Sequence, residues 1–207
     1  MTAPLAHEDL AAIGAAYAAA AADARALVAD LGETLGTWRA APETWTVAEC
    51  LDHLAAGNRV YLAAMRPPAE RALAGGRLRR GPARPGLIGG WFVRLMEPPA
   101  RPLFKTKAPR KIRPRVSPPL ADAAAAFLAS QDEVQAFLRQ FAAIDLAGVT
   151  FPNPLVPGIR FSLATGLHVL AAHTRRHLWQ GWNVRREAER AASEMPARPL
   201  TPSIGAR

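Results

Sequence analysis

Ala172-His173-Thr174-Arg175-Arg176-His177-Leu178-Trp179-Gln180 places two histidines four residues apart. On an α-helix this spacing puts both imidazoles on one face, separated by about 40° of rotation and roughly 6 Å of rise. Two imidazoles placed in this way can share one metal ion, as they do in the helix of zinc proteases. The stretch therefore predicts a helix with a metal-binding face, and further ligands have to come from elsewhere in the chain.

The helical face that carries the two histidines is apolar or small over several turns, which indicates that it points into the protein. At 100° per residue its members fall within an arc of about 80°: Leu163, Gly166, Leu170, His173, His177, Gly181 and Val184. His168 lies on the opposite side of the same helix. The alternative to a metal site is a pair of hydrogen-bonded core histidines, although two inward imidazoles need two sets of partners.

The composition predicts one all-α domain. The chain has 207 residues, of which 50% are hydrophobic and 21% charged, a balance typical of globular proteins large enough for a core. β-branched residues are sparse, and alternation with a period of two is absent. A single cysteine, Cys50, excludes an internal disulfide and suits a reducing cytoplasm, so we predict a cytoplasmic location. The start of the chain does not resemble a secretory signal, and without about 20 uninterrupted apolar residues we predict no transmembrane segment.

The net charge of +9 is concentrated in one segment. Residues 77–115 contain twelve basic residues and one acidic residue, Glu97, so that this segment carries +11 and the rest of the chain −2. The pattern indicates a near-neutral body with one basic insertion.

The periodicity predicts four long helices, with a long crossover between the second and the third. The first is expected over residues 7–36, the second from Thr46, the third from near Ser117, and the fourth from a cap at Ser162 to about Ala192. Pro67 and Pro68 are expected to end or interrupt the second helix. The crossover spans residues 67–116 and includes a short amphipathic helix over 87–96, and a loop covers 143–161. We assign residues 1–192 to one domain and 193–207 to a frayed tail.

The second helix supplies the natural third ligand. Thr46 and Glu49 form a capping box at its start, with Trp45 just before them as a hydrophobic staple. His53 follows about two turns into this helix, and in a four-helix bundle facing helices build the metal sites. His7 lies near a terminus and His168 faces away, which leaves His53 as the best candidate.

Three further residues near these histidines have weaker roles. Glu49 could orient the His53 ring, but the capping role is favoured for it. Gln180 lies near the histidine face and could bind a ligand or a ring nitrogen. Cys50 could add a sulfur ligand, although a small packed residue is the more common role. Trp91 could line a pocket or pack the crossover, and Arg175 and Arg176 are expected to point away from the metal face.

These motifs together resemble the DinB-like (YfiT-like) superfamily. The resemblance covers roughly residues 5–190. It rests on Trp45-Thr46-Val47-Ala48-Glu49 with His53-Leu54 downstream, and on the His-x3-His pair that ends in His177-Leu178-Trp179-Gln180. It implies an up-down-down-up four-helix bundle, often a homodimer, with a divalent metal (zinc, nickel or iron) on His53, His173 and His177.

The resemblance also suggests a reaction. Several characterised relatives are thiol transferases that use bacillithiol, mycothiol or glutathione, and another is a mycothiol-dependent isomerase. Three neutral imidazoles with an open position form a catalytic type of site, in which a bound thiol ionises to the nucleophilic thiolate. We therefore expect a metal-dependent transferase that activates a low-molecular-weight thiol for attack on an electrophile.

Other functions remain as alternatives. A metal-dependent hydrolase would use bound water, but the sequence offers no general base beyond Glu49. The basic 77–115 segment, with Trp91, Phe92 and Phe104 interleaved, could instead bind nucleic acid or an anionic membrane surface, although no nucleic-acid motif is present. The same segment could also flank the metal pocket and attract an anionic substrate.

Overall fold

The structure is a computed structural model, and it describes residues 7–99 and 108–194. Within these residues the order of elements is as follows: α1 Glu8–Val28, α2 Gly32–Gly36, α3 Val47–Ala74, α4 Leu87–Met96, a 3-10 turn Arg110–Ile112, α5 Leu120–Gln140, β1 Thr150–Pro152, β2 Arg160–Ser162 and α6 Leu163–Glu194. The four long helices α1, α3, α5 and α6 form a bundle, which confirms the all-α four-helix prediction.

Side-chain contacts fix the direction of each bundle helix. Four hydrogen bonds pair the helices level by level: Tyr17 to Leu167 and Trp182 to Asp23 between α1 and α6, and Asn58 to Ser130 and Arg66 to Gln140 between α3 and α5. Both pairs of helices are therefore parallel. Helices α3 and α6 are antiparallel, since His53 lies beside His173 whereas Met65 lies beside Gly166. The topology is up-down-down-up, as the resemblance implied.

The prediction of one helix over residues 7–36 was wrong, because the chain breaks between α1 and α2. Asp30 and Gly32 both adopt positive φ, 56° and 68°, which a continuing right-handed helix cannot contain. Leu31 between them is buried in the core. The break therefore allows a large apolar side chain to enter the bundle where the helix ends.

The expectation that Pro67 and Pro68 end or sharply interrupt the second helix was also wrong. Helix α3 continues through both prolines to Ala74. Each proline lacks an N–H, so the helix loses two internal hydrogen bonds at this point. Ala69 and Ala72 in the following turns are buried, and packing of these turns against the core compensates for the lost bonds.

The crossover consequently runs from Gly75 to Pro119 rather than from residue 67 to 116. The short helix predicted over 87–96 is confirmed as α4. Helix α5 begins at Leu120, three residues after the predicted start, because Ser117 adopts a positive φ of 47°. Residues 100–107, which include Phe104 and three of the basic residues, lie outside the described residues.

Part of the positive charge of the crossover is paired with carboxylates of the bundle helices and of the loop after α5. Three arginines form ion pairs with carboxylates: Arg77 with Asp145, Arg79 with Asp9, and Arg115 with Asp52. The Arg79 pair, at 2.7 Å, is the least exposed of the three, and Asp9 also accepts from the backbone N–H of Ala83. These contacts fasten the crossover to the bundle.

Two elements near α6 complete the fold. The loop predicted over 143–161 contains the antiparallel pair β1–β2, in which Phe151 lies opposite Phe161 with both rings buried. The predicted cap is confirmed, since Ser162 Oγ accepts from the Thr165 N–H at 3.1 Å. Helix α6 extends to Glu194 and so includes the first two residues of the predicted tail, whereas residues 195–207 lie outside the described ones.

Helix α1 is long and apolar enough to cross a membrane by length and composition alone, a test that the core helix of a globular protein also passes. In the bundle its Leu10, Tyr17 and Leu27 are fully buried, and the Tyr17 hydroxyl donates to the Leu167 carbonyl at 2.6 Å. These contacts are those of a core helix that packs against α6.

The core consists of two apolar clusters, one towards each end of the bundle. One cluster contains Tyr17, Phe137 and Leu170, and the other contains Leu27, Leu51, Phe127 and Leu178. Buried polar side chains lie between them: Asn58, Ser130, Gln131 and Thr174. Among the described residues Gln131 and Thr174 have no hydrogen-bond partner for their side chains. His173 and His177 lie at this same level of α6.

Candidate metal centre

Three histidines from two helices converge in the middle of the bundle. His53 comes from α3, and His173 and His177 come from successive turns of α6. One ring nitrogen from each histidine lies within 4.8 Å of those of the other two, and the ring centroids are 4.5–4.9 Å apart. The structure therefore brings together the three residues that the sequence singled out.

The chemistry of this group fits a divalent metal. The Nε2 atoms of His53 and His173 are 3.0 Å apart. Metal–nitrogen bonds of about 2.0–2.1 Å at right or tetrahedral angles place two ligand nitrogens about 2.8–3.4 Å apart. The observed separation falls within this range. A set of three neutral imidazoles is also one of the donor sets found in catalytic zinc sites.

Hydrogen bonds orient two of the three rings. His53 Nδ1 lies 2.5 Å from the Ile112 carbonyl, and His177 Nδ1 lies 2.9 Å from Gln180 Oε1. Both oxygens can only accept, so each Nδ1 donates its proton and each Nε2 lone pair is left for a metal. Gln180 thus contacts a ring as the sequence suggested. Ile112 could not have been found from the sequence, because its backbone carbonyl and not its side chain makes the bond.

Burial keeps these imidazoles uncharged. It lowers the pKa of His53, against smaller opposite effects of the Ile112 carbonyl and the charge of Asp52. Burial, followed by the proximity of the other two rings, lowers the pKa of His173 well below its ordinary value. Burial lowers the pKa of His177 to about 3. At neutral pH all three nitrogens can therefore bind a metal without first losing a proton.

The capping box at the start of α3 positions Trp45 against the site. Thr46 Oγ1 accepts from the Glu49 N–H at 3.0 Å, and Glu49 Oε2 accepts from the Thr46 N–H at 2.9 Å. The Trp45 ring, one residue earlier, packs 4.7 Å from the His53 ring and 5.5 Å from the His177 ring. Glu49 Oε1 pairs with Arg39, so this carboxylate is occupied by the cap and the arginine rather than by His53.

A cavity of about 320 Å³ opens onto the three histidines, and we call it the histidine cavity. Its wall is largely apolar and includes Phe92, Leu155 and Phe161. Asn153 and Tyr61 form a polar patch, in which the Asn153 amide donates to the Tyr61 hydroxyl at 3.3 Å. Among the described residues no carboxylate lines this cavity.

Arg176 also lines the histidine cavity, contrary to the expectation that it points away. Helix α4 packs along α6, and the Arg176 guanidinium donates to the Leu95 carbonyl of α4 at 3.3 Å. The position that a lone helix would leave to solvent thus becomes part of the cavity wall.

Trp91 is 58% exposed and does not line the cavity, whereas its neighbour Phe92 does. Cys50 is fully buried in the core and is not among the grouped ring nitrogens.

A second cavity of about 220 Å³ lies on the other side of α6. His168, Arg175, Arg84 and Asp9 contribute its polar groups. His168 Nε2 is 3.0 Å from the Ala83 carbonyl, and Arg175 pairs with Glu97. His168, Arg175 and Asp9 are thus held here by backbone groups or by opposite charges.

A sequence model described as the DinB superfamily matches residues 16–180. This range contains the capping box, all three converging histidines and Gln180. Comparison with curated proteins and with solved structures gave no match. The match agrees with the resemblance that the motifs suggested, and it covers more than half of the chain.

Proposed function

This chain belongs to the DinB superfamily, and we propose that it binds one divalent metal (zinc, nickel or iron) and transfers a low-molecular-weight thiol to an electrophile. The convergence of His53, His173 and His177 at the end of an apolar cavity is the observation that carries the proposal. A cytoplasmic location, where such thiols are abundant and reduced, and a homodimeric state are part of the same proposal.

The three histidines would hold the metal through nitrogen atoms that are already free of protons. His53 and His177 are oriented for this by Ile112 and Gln180. A divalent metal with only neutral ligands and an open position lowers the pKa of a thiol that binds there. Trp45 packs against two of the rings and limits the access of water from that side.

The reaction that we propose is a substitution. The sulfur of the thiol forms a bond to an electrophilic carbon, the bond from that carbon to the leaving group breaks, and the leaving group departs with the electron pair. The thiol proton passes to solvent. The apolar wall around Phe92, Leu155 and Phe161 would bind the electrophile next to the histidines.

The test is a conjugation assay with metal-loaded and metal-free protein. Zinc, nickel or iron is added to metal-free protein, and the product is followed with glutathione, bacillithiol or mycothiol and 1-chloro-2,4-dinitrobenzene. We expect turnover with at least one thiol that requires both the metal and His173. An absence of metal-dependent turnover with all three thiols would overturn the transferase while leaving the metal site open to its own test.

A metal-dependent hydrolase is less well supported than a transferase. Hydrolysis by bound water commonly uses a carboxylate or another general base close to the metal. In the described part of the chain the cavity wall contains no carboxylate, and Glu49 is held by Thr46 and Arg39. The wall therefore suits a thiolate, which attacks without a base, better than it suits water.

A second candidate function rests on the exposed side of α4. Leu87, Ile88 and Trp91 are 97%, 72% and 58% exposed, and Arg84 and Arg94 lie beside them. Apolar side chains flanked by arginines are typical of helices that bind at an anionic membrane surface. Nucleic acid is less favoured, because it offers phosphates but no apolar phase for Leu87 and Ile88.

Vesicle binding tests this second candidate. Co-sedimentation is measured with phosphatidylcholine vesicles that contain or lack phosphatidylserine. We expect binding that needs the anionic lipid, weakens with salt and is reduced when Arg84 and Arg94 are replaced by glutamine. Equal sedimentation with both kinds of vesicle, or a salt-sensitive shift with DNA alone, would contradict it.

A further inference from the structure

The charged side chains that line the histidine cavity, among the described residues, are positive only. The lining contains one arginine, Arg176, and in the described ranges no aspartate or glutamate. Arg176 forms no ion pair with any carboxylate among residues 7–99 and 108–194. A cation in a mostly apolar, partly closed space attracts an anion more strongly than the same cation in water does.

Arg176 is held at the edge of the histidine group. In α6 it directly precedes His177, and its Nη1 donates to the Leu95 carbonyl of α4. An arginine carries five N–H donors in a fixed plane, and this single bond leaves donors for a ligand. The guanidinium is thus tied to α4 by one bond, in a side chain that lines the histidine cavity.

The neighbouring arginine shows what a partnered guanidinium looks like. Arg175 Nε donates to Glu97 Oε2 at 3.0 Å, and a second contact joins Arg175 Nη2 to Glu97 Oε1. This two-point pair is the usual way in which an arginine holds a carboxylate. The Arg176 guanidinium has the same N–H donors, but no carboxylate among the described residues pairs with it.

The rest of the wall indicates what accompanies the anion. Phe92, Leu155 and Phe161 present apolar surface, and Val169 and Leu170 extend it along α6. A low-molecular-weight thiol is a polar peptide or sugar derivative and would gain little from this surface. An apolar acceptor would bury its surface there and place a charged end at Arg176.

We infer that Arg176 binds the carboxylate of an apolar carboxylic acid, which is the acceptor in the histidine cavity. As a statement about the acceptor this rests on the proposed function. The anion site itself requires only Arg176 and the apolar wall, so it can be tested without metal and without turnover.

The experiment uses the full chain stripped of metal, at pH 8, where ordinary imidazoles are uncharged. Calorimetry compares 4-phenylbutyrate with its neutral amide, 4-phenylbutanamide, which has the same apolar part. A charge-assisted bidentate contact predicts that wild-type protein binds the carboxylate about tenfold or more tightly than the amide. Arg176→Gln should reduce this ratio to about one.

Two further variants test whether the preference depends on the charge of Arg176 and on its position on α6. Arg176→Lys keeps a charge and should keep part of the preference. Arg175→Gln removes the neighbouring arginine, which belongs to the other side of α6, and should keep all of it. Thermal unfolding of each variant identifies any that is not folded.

Several results would overturn the inference. One is wild-type protein that binds the amide as tightly as the carboxylate, or binds neither at millimolar concentration. Another is a preference that survives in Arg176→Gln or is lost in Arg175→Gln. Displacement of the probe by glutathione would assign the anion to the thiol and not to the acceptor. None of these results depends on metal binding or thiol transfer, so they are separable from a failure of the proposed function.

Discussion

Helix α6 carries histidine and arginine towards both of its cavities, and the two sides differ in how these side chains are partnered. Towards the second cavity, His168 contacts the Ala83 carbonyl and Arg175 is paired with Glu97. Towards the histidine cavity, two histidines meet a third from α3, and Arg176 has no carboxylate partner in the described protein. Residue types alone therefore do not identify the site. The site is identified instead by side chains that keep free lone pairs or free N–H donors beside an apolar cavity.

The largest effect expected from this comparison is on metal content. Replacement of His53, His173 or His177 by alanine removes one of three ligands and should abolish the bound metal, about one equivalent per chain in the wild type. His168→Ala is the matched control on the same helix and should retain it. Elemental analysis after reconstitution and desalting measures both. Metal that persists in all three variants would place the site elsewhere.

The next effect is a dependence of stability on pH in metal-free protein. The unfolded chain takes up a proton on histidine near pH 6.5, whereas burial lowers the pKa of folded His177 to about 3. Between these values the unfolded state binds more protons, so the free energy of unfolding falls as the pH falls. His177→Gln should reduce this slope by up to about 1.4 kcal/mol per pH unit.

Urea unfolding at fixed pH values between 8 and 4 measures this slope in the wild type and the variant. At pH 8, above the histidine range, the two proteins should differ by a constant amount only. Equal slopes below pH 6.5 would show that His177 is not held uncharged by the fold.

A smaller effect concerns α4, which forms one wall of the histidine cavity. A Cβ at Gly89 would lie 2.7 Å from Thr165 Cγ2 of α6, whereas a Cβ at Gly90 meets nothing within 4 Å. Gly89→Ala should therefore destabilise the protein by about 1–3 kcal/mol. Gly90→Ala should stabilise it by up to about 1 kcal/mol through helix propensity.

Thermal or urea unfolding of the two variants provides the comparison, and binding of 4-phenylbutyrate reports on the cavity. The affinity should fall in Gly89→Ala, because α4 moves away from α6, and should be unchanged in Gly90→Ala. Similar behaviour of both variants would mean that α4 does not depend on this close contact.

The smallest effect belongs to the second cavity. Glu97→Gln removes the partner of Arg175 at a half-exposed position, where an ion pair contributes about 0–1 kcal/mol. The free energy of unfolding should change by less than about 1 kcal/mol, with metal content unaltered. Loss of metal in this variant would show that the two sides of α6 are coupled, which the comparison does not predict.

Local patterns made much of this structure predictable. The His173–His177 spacing, the Thr46–Glu49 capping box and the Ser162 cap depend on neighbours within four residues, and the structure contains all three features. His53 was found because His7 lies near a terminus, His168 faces away, and facing helices of a bundle can bring their side chains together.

Features that depend on distant parts of the chain were not predictable in this way. Helix α3 continues through Pro67 and Pro68 because its last turns are packed in the core. Arg176 lines the cavity because α4, some 80 residues earlier, covers that side of α6. The orienting bond to His53 comes from a backbone carbonyl, which every residue has, so no side-chain pattern marks Ile112.

The division of the core has a consequence for the dynamics of the bundle. Apolar contacts hold each end of the molecule together, and between them lies a layer that contains Gln131 and Thr174 without partners in the described protein. We expect such a layer to let the two ends open as separate units, each with its own free energy. His173 and His177 lie where α6 passes from one unit to the other. An ion held there would join the two units, and occupancy of the centre would be measurable as slower amide exchange throughout the bundle.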